Sequence, residues 1–156
     1  MQASVRAQCT RFNADGTLIA TGCEDGSVKV FSTTTGQASY YFNPAWHGGD
    51  EPGMCTALRF VPAATARDNQ NVAIVASSSG RVWHWHATSG KCLGPNGGLI
   101  TEADNQIYAL DVRSDGASFA TAGFDGVVRV YDEATHKLKA ALRGGGADGM
   151  RSGGVT

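Results

Sequence analysis

The side chains of this 156-residue sequence best suited to chemistry are the imidazoles of Trp83-His84-Trp85-His86 and the thiols of Cys9, Cys23, Cys55 and Cys92. In an extended strand alternate residues share a face, so His84 and His86 point the same way, as metal-binding imidazoles can. The surrounding sequence supplies no carboxylate or third His at ligand spacing, and an open two-ligand site binds weakly. A structural role is therefore expected for both, with no metal and no cofactor. The thiols lie far apart with no CxxC, and three of them fall where a small buried strand residue is wanted, which free Cys satisfies as a small hydrophobe. There is no GxSxG, P-loop or HExxH pattern, and the glycine-rich end carries no GKS or GKT. No catalytic residue is assigned, and the chain reads as a non-enzyme.

The elements that must position these residues repeat. Phe119 to Asp132 reads FATAGFDGVVRVYD, two short runs of β-formers joined through Asp125-Gly126. Asp-Gly between such runs marks a hairpin, because Gly tolerates the positive φ of a tight turn. The pattern occurs earlier as LIATGCEDGSVKVFS, Leu18 to Ser32, with Asp25-Gly26 over Asp125-Gly126, Val30 over Val130 and Phe31 over Tyr131 at one constant displacement. A poorer copy, Val72 to His86, puts Ser79-Gly80 at the turn and Trp85 at the aromatic. In the first copy, Ala7 to Phe12 precedes the hairpin and Gln37 to Phe42 follows it. Four antiparallel strands in roughly forty residues is the size of one propeller blade.

Read in order, the chain gives a first blade over residues 1–42, a connecting loop over 43–53 and a second blade over 54–94. A connecting loop over 95–106, a third blade over 107–142 and a Gly-rich linker or tail over 143–156 complete it. In the second blade the first hairpin is stretched across Val61 to Asn71, as a surface insertion would be. A formal charge of −1, with no run of either sign, removes the electrostatic reason to expect nucleic acid. No apolar run nears the roughly 18 residues of a membrane span and no signal peptide is legible, so no membrane partner is expected and the compartment is read as cytoplasmic.

On these repeats the chain resembles the WD40-repeat proteins. The match rests on Asp-Gly ahead of Phe31 and Tyr131, on the Tyr131-Asp132 ending and, faintly, on His47-Gly48. The resemblance implies an all-β fold of three four-stranded antiparallel blades, not closed by itself because a ring takes at least about four blades. It implies structural roles for the turn residues Asp25, Gly26, Asp125 and Gly126, and makes the second blade, with Ser79 in place of Asp, the least rigid. Partner contacts in the family come from one rim, which carries over to Gln8, Thr56 and Tyr108 at the first strands and to Glu24, Ser78 and Phe124 before the turns. Val28, Val30, Val128 and Val130 are expected to line blade faces left against water, so further blades in cis or in trans are expected partners. The implied function is a protein-interaction scaffold in a larger propeller or assembly, cytoskeletal or ciliary by analogy. The alternative is a small-molecule or catalytic site in a central channel, for which the innermost strands offer Gln8, Arg11, Arg59 and Asp111.

Overall fold

The structure is a computed structural model that describes residues 4–47, 52–62 and 71–144. The glycines after His47, the centre of the Val61 to Asn71 insertion and the Gly-rich end from residue 145 lie outside the described residues. Three antiparallel sheets succeed one another along the chain. The first is β1 (Ala7–Phe12), β2 (Leu18–Cys23), β3 (Val28–Ser32) and β4 (Ala38–Phe42), paired in chain order. The second contains β5 (Cys55–Phe60), β6 (Val72–Ser77), β7 (Arg81–His86), β8 (Lys91–Cys92) and β9 (Leu99–Thr101). The third is β10 (Ile107–Val112), β11 (Ser118–Gly123), β12 (Val127–Asp132) and β13 (Leu138–Arg143).

The second sheet corrects the expected loop over 95–106. Its outer edge is built in two pieces, β8 on Trp85 and His86 and β9 on Arg81 to Trp83. Gly94 at φ 112 and the turn Pro95–Gly98 lead the chain away from the sheet. The backbone edge of β7 left open by that detour is then paired by Leu99–Thr101, as buried N–H and C=O groups require. Registers are otherwise repeated: Ala20 faces Val30 and Ala120 faces Val130. Each first strand also skips one residue at its start, at Gln8, Thr56 and Tyr108, so the ladder bulges at the same point in every sheet.

The sheets stack face to back. Period-2 alternation gives each sheet two apolar faces, and equivalent faces look the same way along the stack. Val28, Val30 and Phe42 of the first sheet are fully buried against Leu58, Val75, Trp83 and Trp85 of the second. The opposite face of the second sheet, with Ile74 and Val82, meets Ile107, Leu110, Phe119 and Tyr131 of the third. This corrects the expectation that Val28 and Val30 are left against water: both are 0% exposed, because the second sheet covers them. Their equivalent Val128, on the last sheet, is 36% exposed. The second blade, expected to be the least rigid, is the best covered of the three. It is covered on both sides, every residue of β6 is buried, and a hydroxyl pair, Ser77 and Ser79 at 2.6 Å, holds the turn that lacks Asp.

Phe42 anchors the first seam, with ring centroids 5.7 Å from Trp83 and 5.4 Å from Trp85. Truncation there removes a large buried side chain and leaves a cavity between two sheets. Phe42→Ala is expected to cost about 3–5 kcal/mol in chemical denaturation. Phe12→Ala, at a side chain 62% exposed, is expected to stay within about 0.5 kcal/mol.

Candidate functional site

One end of the sheet stack collects the candidate rim. The bulges at Gln8, Thr56 and Tyr108 adjoin the turns that follow β2, β6 and β11, because Ala7, Cys55 and Ile107 pair with the last residues of those strands. The structure divides the six candidates. Thr56 is turned inward, its hydroxyl donating to the Ile107 carbonyl across the second seam. Ser78 is tied to Met54, its amide donating to the Met54 carbonyl while its hydroxyl accepts the Met54 amide at 2.9 Å. Glu24 exchanges backbone and side-chain hydrogen bonds with Arg6 and stays exposed, as does Gln8. Tyr108 is 50% exposed and Phe124 is 76% exposed. Both are held through Gln106, whose side chain takes the Tyr108 hydroxyl and whose carbonyl takes the Phe124 amide. No ring contact joins the two among the described residues, so they are two separate anchors.

Sequence reasoning missed a second aromatic group at the same end. Trp46, in a 3-10 turn over Pro44–His47, is 67% exposed and lies edge-on to Tyr41 at 5.8 Å. The turn is fixed from beneath, where the His47 ring stacks on Phe42 at 5.2 Å and the His47 carbonyl accepts the Trp83 indole N–H at 3.2 Å. His47 thus braces the loop. On the innermost strands, Arg59 and Asp111 form an ion pair at 3.7 Å, with Asp111 85% exposed. Two opposite charges that neutralise each other in solvent leave little to hold a ligand in a channel.

The turn aspartates bind their own turns. Asp25 accepts the Ser27 amide and hydroxyl, and Asp125 accepts the Val127 amide at 3.0 Å and the Arg129 guanidinium at 2.7 Å. The guanidinium holds the Asp125 carboxyl below its ordinary range. The buried polar centre of the third sheet is a residue the sequence did not single out, Glu102. Its carboxylate, 2% exposed, accepts Asn105 at 2.9 Å, Thr121 at 2.7 Å, Tyr131 at 2.9 Å and Arg129 at 3.3 Å. A buried charge is tolerated when it is partnered on every side. Burial, then the Glu102 charge, raises the Tyr131 phenol above its ordinary range.

The imidazole pair separates. His86 faces its own turn, bonded to the Ser89 and Thr88 hydroxyls at 2.6 and 2.9 Å. His84 is 1% exposed in the second seam and meets residues from the turn between β12 and β13. Its Nε2 lies 3.0 Å from a Glu133 carboxylate oxygen, and its ring stacks on His136 at 3.8 Å. The expectation that neither a carboxylate nor a further His accompanies the pair is therefore corrected for His84: the partners come from another sheet, which local spacing cannot reveal. Burial, with His84 beside it, pushes His136 down to about 4, so the ring is neutral at ordinary pH. The Nδ1 atoms of both rings are buried without a hydrogen-bond partner among the described residues. The three side chains line one wall of a cleft of about 490 Å³ between the second and third sheets. At the first seam Cys9 and Cys55 meet with their Sγ atoms 3.8 Å apart; Cys55 is raised, first by its hydrogen bond with Cys9 and then by burial.

The sheet order, repeated bulges and face-to-back seams define a β-propeller segment of three blades that does not close by itself, and its repeats are similar to WD40 repeats. The family described as "WD domain, G-beta repeat" matches residues 2–32 and 94–132. The chain is 25% identical over 122 residues to a guanine nucleotide-binding protein subunit beta of Nicotiana tabacum, covering 78% of this chain and 30% of the relative. It is 24% identical over 127 residues to that of Solanum tuberosum, covering 81% and 32%. It thus spans about a third of these relatives. Among solved structures it is similar in fold to the Cps50 (Swd1) β-propeller domain of Myceliophteria thermophila. The TM-score is 0.71 at 18% identity, over 92% of this chain and 39% of that one. A chain of a mitotic checkpoint complex gives 0.73 at 18% identity, over 90% and 38%.

Removing one donor from the buried carboxylate tests the third sheet. Tyr131→Phe leaves the ring stacked on Phe119 at 5.1 Å and deletes only the hydroxyl. It is expected to lower unfolding free energy by about 1.5–3 kcal/mol, the range for a hydrogen bond to a charged group, read from denaturant titration.

Proposed function

We propose that this chain is a non-catalytic scaffold segment of a larger WD40 propeller, completed by further blades in cis or in trans, and that it holds protein partners at the rim described above. One contrast carries the reading. Val28 and Val30 are fully covered by the next sheet, whereas Val128, equivalent to Val28, is 36% exposed. A face designed to be covered is open at the last sheet, and such apolar sheet surface gains by association. The relatives, of which the chain spans about a third, are consistent with blades beyond these three. On the rim, Trp46, Tyr108 and Phe124 are rigidly held and exposed, the kind of aromatic anchor enriched at binding hot spots. The cytoplasmic setting, in cytoskeletal or ciliary assemblies, belongs to the same proposal and rests on family analogy.

Light scattering coupled to size exclusion is expected to show concentration-dependent self-association of the isolated chain. A monomer that stays monodisperse and melts cooperatively at high concentration would count against the open-flank reading. For the rim, Tyr108→Ala with Phe124→Ala is expected to reduce partner recovery from a pull-down at least tenfold while leaving the circular dichroism spectrum unchanged. Undiminished recovery would remove these two residues from the interface.

A further inference from the structure

Three positions at which the second and third repeats depart from their sisters converge on one place. His84 stands where the other sheets carry Val30 and Val130. Glu133 stands where the sister turns carry Thr33 and Ala87, and His136 where they carry Gly36 and Gly90. The last departure is costly for the backbone. Gly36 and Gly90 adopt φ 72 and 74, and His136 keeps φ 60, a left-handed conformation that glycine takes freely and a histidine only under strain. A further glycine makes room for its ring, since a Cβ at Gly94 would lie 2.3 Å from His136 Cε1. Strain retained where a plain glycine would serve points to a use for the side chain.

We propose that His84, Glu133 and His136 bind a divalent transition metal ion, zinc in preference, which clamps the second sheet to the third. One ligand atom from each residue lies within 4.8 Å of the others. Around zinc, with bonds of about 2.0–2.2 Å, neighbouring ligand atoms lie roughly 3.3 Å apart. His84 Nε2 and the Glu133 oxygen, 3.0 Å apart, lie close to one such edge, and the His136 ring, stacked on His84 with centroids 3.8 Å apart, turns out of that stack to aim a nitrogen at the shared ion. His84 binds through the Nε2 already facing Glu133, and His136 offers a buried Nδ1 that has no hydrogen-bond partner among the described residues. Two imidazoles and one carboxylate suit zinc, whereas magnesium and calcium favour oxygen sets. The fourth position opens on the cleft, where water can enter. Because the ligands come from two sheets, the ion binds only the assembled seam, and its binding energy adds to the stability of that seam.

The test uses the full chain with any affinity tag removed, dialysed against zinc or magnesium, with metal content by mass spectrometry and unfolding by heat. About one zinc per chain is expected, with a melting temperature raised by roughly 5–10 °C at a hundredfold excess over Kd, and no rise with magnesium. His136→Gly restores the residue of the sister turns and so keeps the fold; its melting temperature without zinc is expected to equal or exceed that of the parent. Its zinc affinity should fall at least tenfold and the zinc-dependent rise should vanish, and Glu133→Thr should weaken binding in the same direction. Failure of the folded parent chain to take up zinc, or a His136→Gly chain that binds it as tightly as the parent, would overturn the assignment.

Discussion

The fit of one sheet's front onto the back of the next is the constraint on which the rest of this structure depends. A four-stranded sheet with apolar side chains on both faces has no stable existence in water; it must be covered twice. Among the described residues only the second sheet meets that condition, between Val28, Val30 and Phe42 on one side and Phe119 and Tyr131 on the other. The burial along β6 and β7 follows from that position and from no special feature of their turn. The same stacking sets the direction of every loop, since all three first-strand bulges and the turns beside them emerge at one end.

Dispersion and burial hold the seams together, and polar contacts register them. At the first seam the Asn13 amide donates to Asn71 at 2.8 Å, and the paired thiols of Cys9 and Cys55 fill the space beside Gly22. At the second the Thr56 hydroxyl reaches the Ile107 carbonyl, and His84 reaches Glu133. Such contacts contribute modestly to net stability, but an unmade one leaves a desolvated group, so they select one sliding position among those that greasy faces alone would permit. Glu102 does this within the third sheet, tying the incoming loop to β11 and β12 through a carboxylate with every direction occupied.

The architecture was legible because its signals are local. Asp-Gly followed by β-branched alternation fixes a hairpin within a dozen residues, and the constant displacement between copies makes the repeat plain. What escaped depends on contacts between sheets. Alternation tells that Val28 and Val30 share a face but not which neighbour covers it, so their burial was read the wrong way round. The strand Leu99–Thr101 is three residues long and follows a glycine-rich detour, too short for periodicity to register. Glu102 and the companions of His84 are brought in by tertiary packing. One clue to the latter lies in the sequence itself: a histidine, His136, at the site of the sister glycines Gly36 and Gly90. Of the rim candidates, position in the repeat identified the exposed Tyr108 and Phe124, but could not tell them from Thr56, which the neighbouring sheet takes up.

The skipped residue at the head of each first strand has an implication for how such a molecule diversifies. Gln8, Thr56 and Tyr108 have no cross-strand mate, so the backbone ladder around them does not dictate their identity. An amide, a hydroxyl and a phenol occupy the same slot in three successive repeats, while the flanking positions stay small or apolar. Where the slot faces solvent, as at Gln8 and Tyr108, a new binding preference can be spelled by single substitutions without rewriting the hydrogen-bonded lattice beneath, whereas at Thr56 the slot is committed to the Ile107 carbonyl.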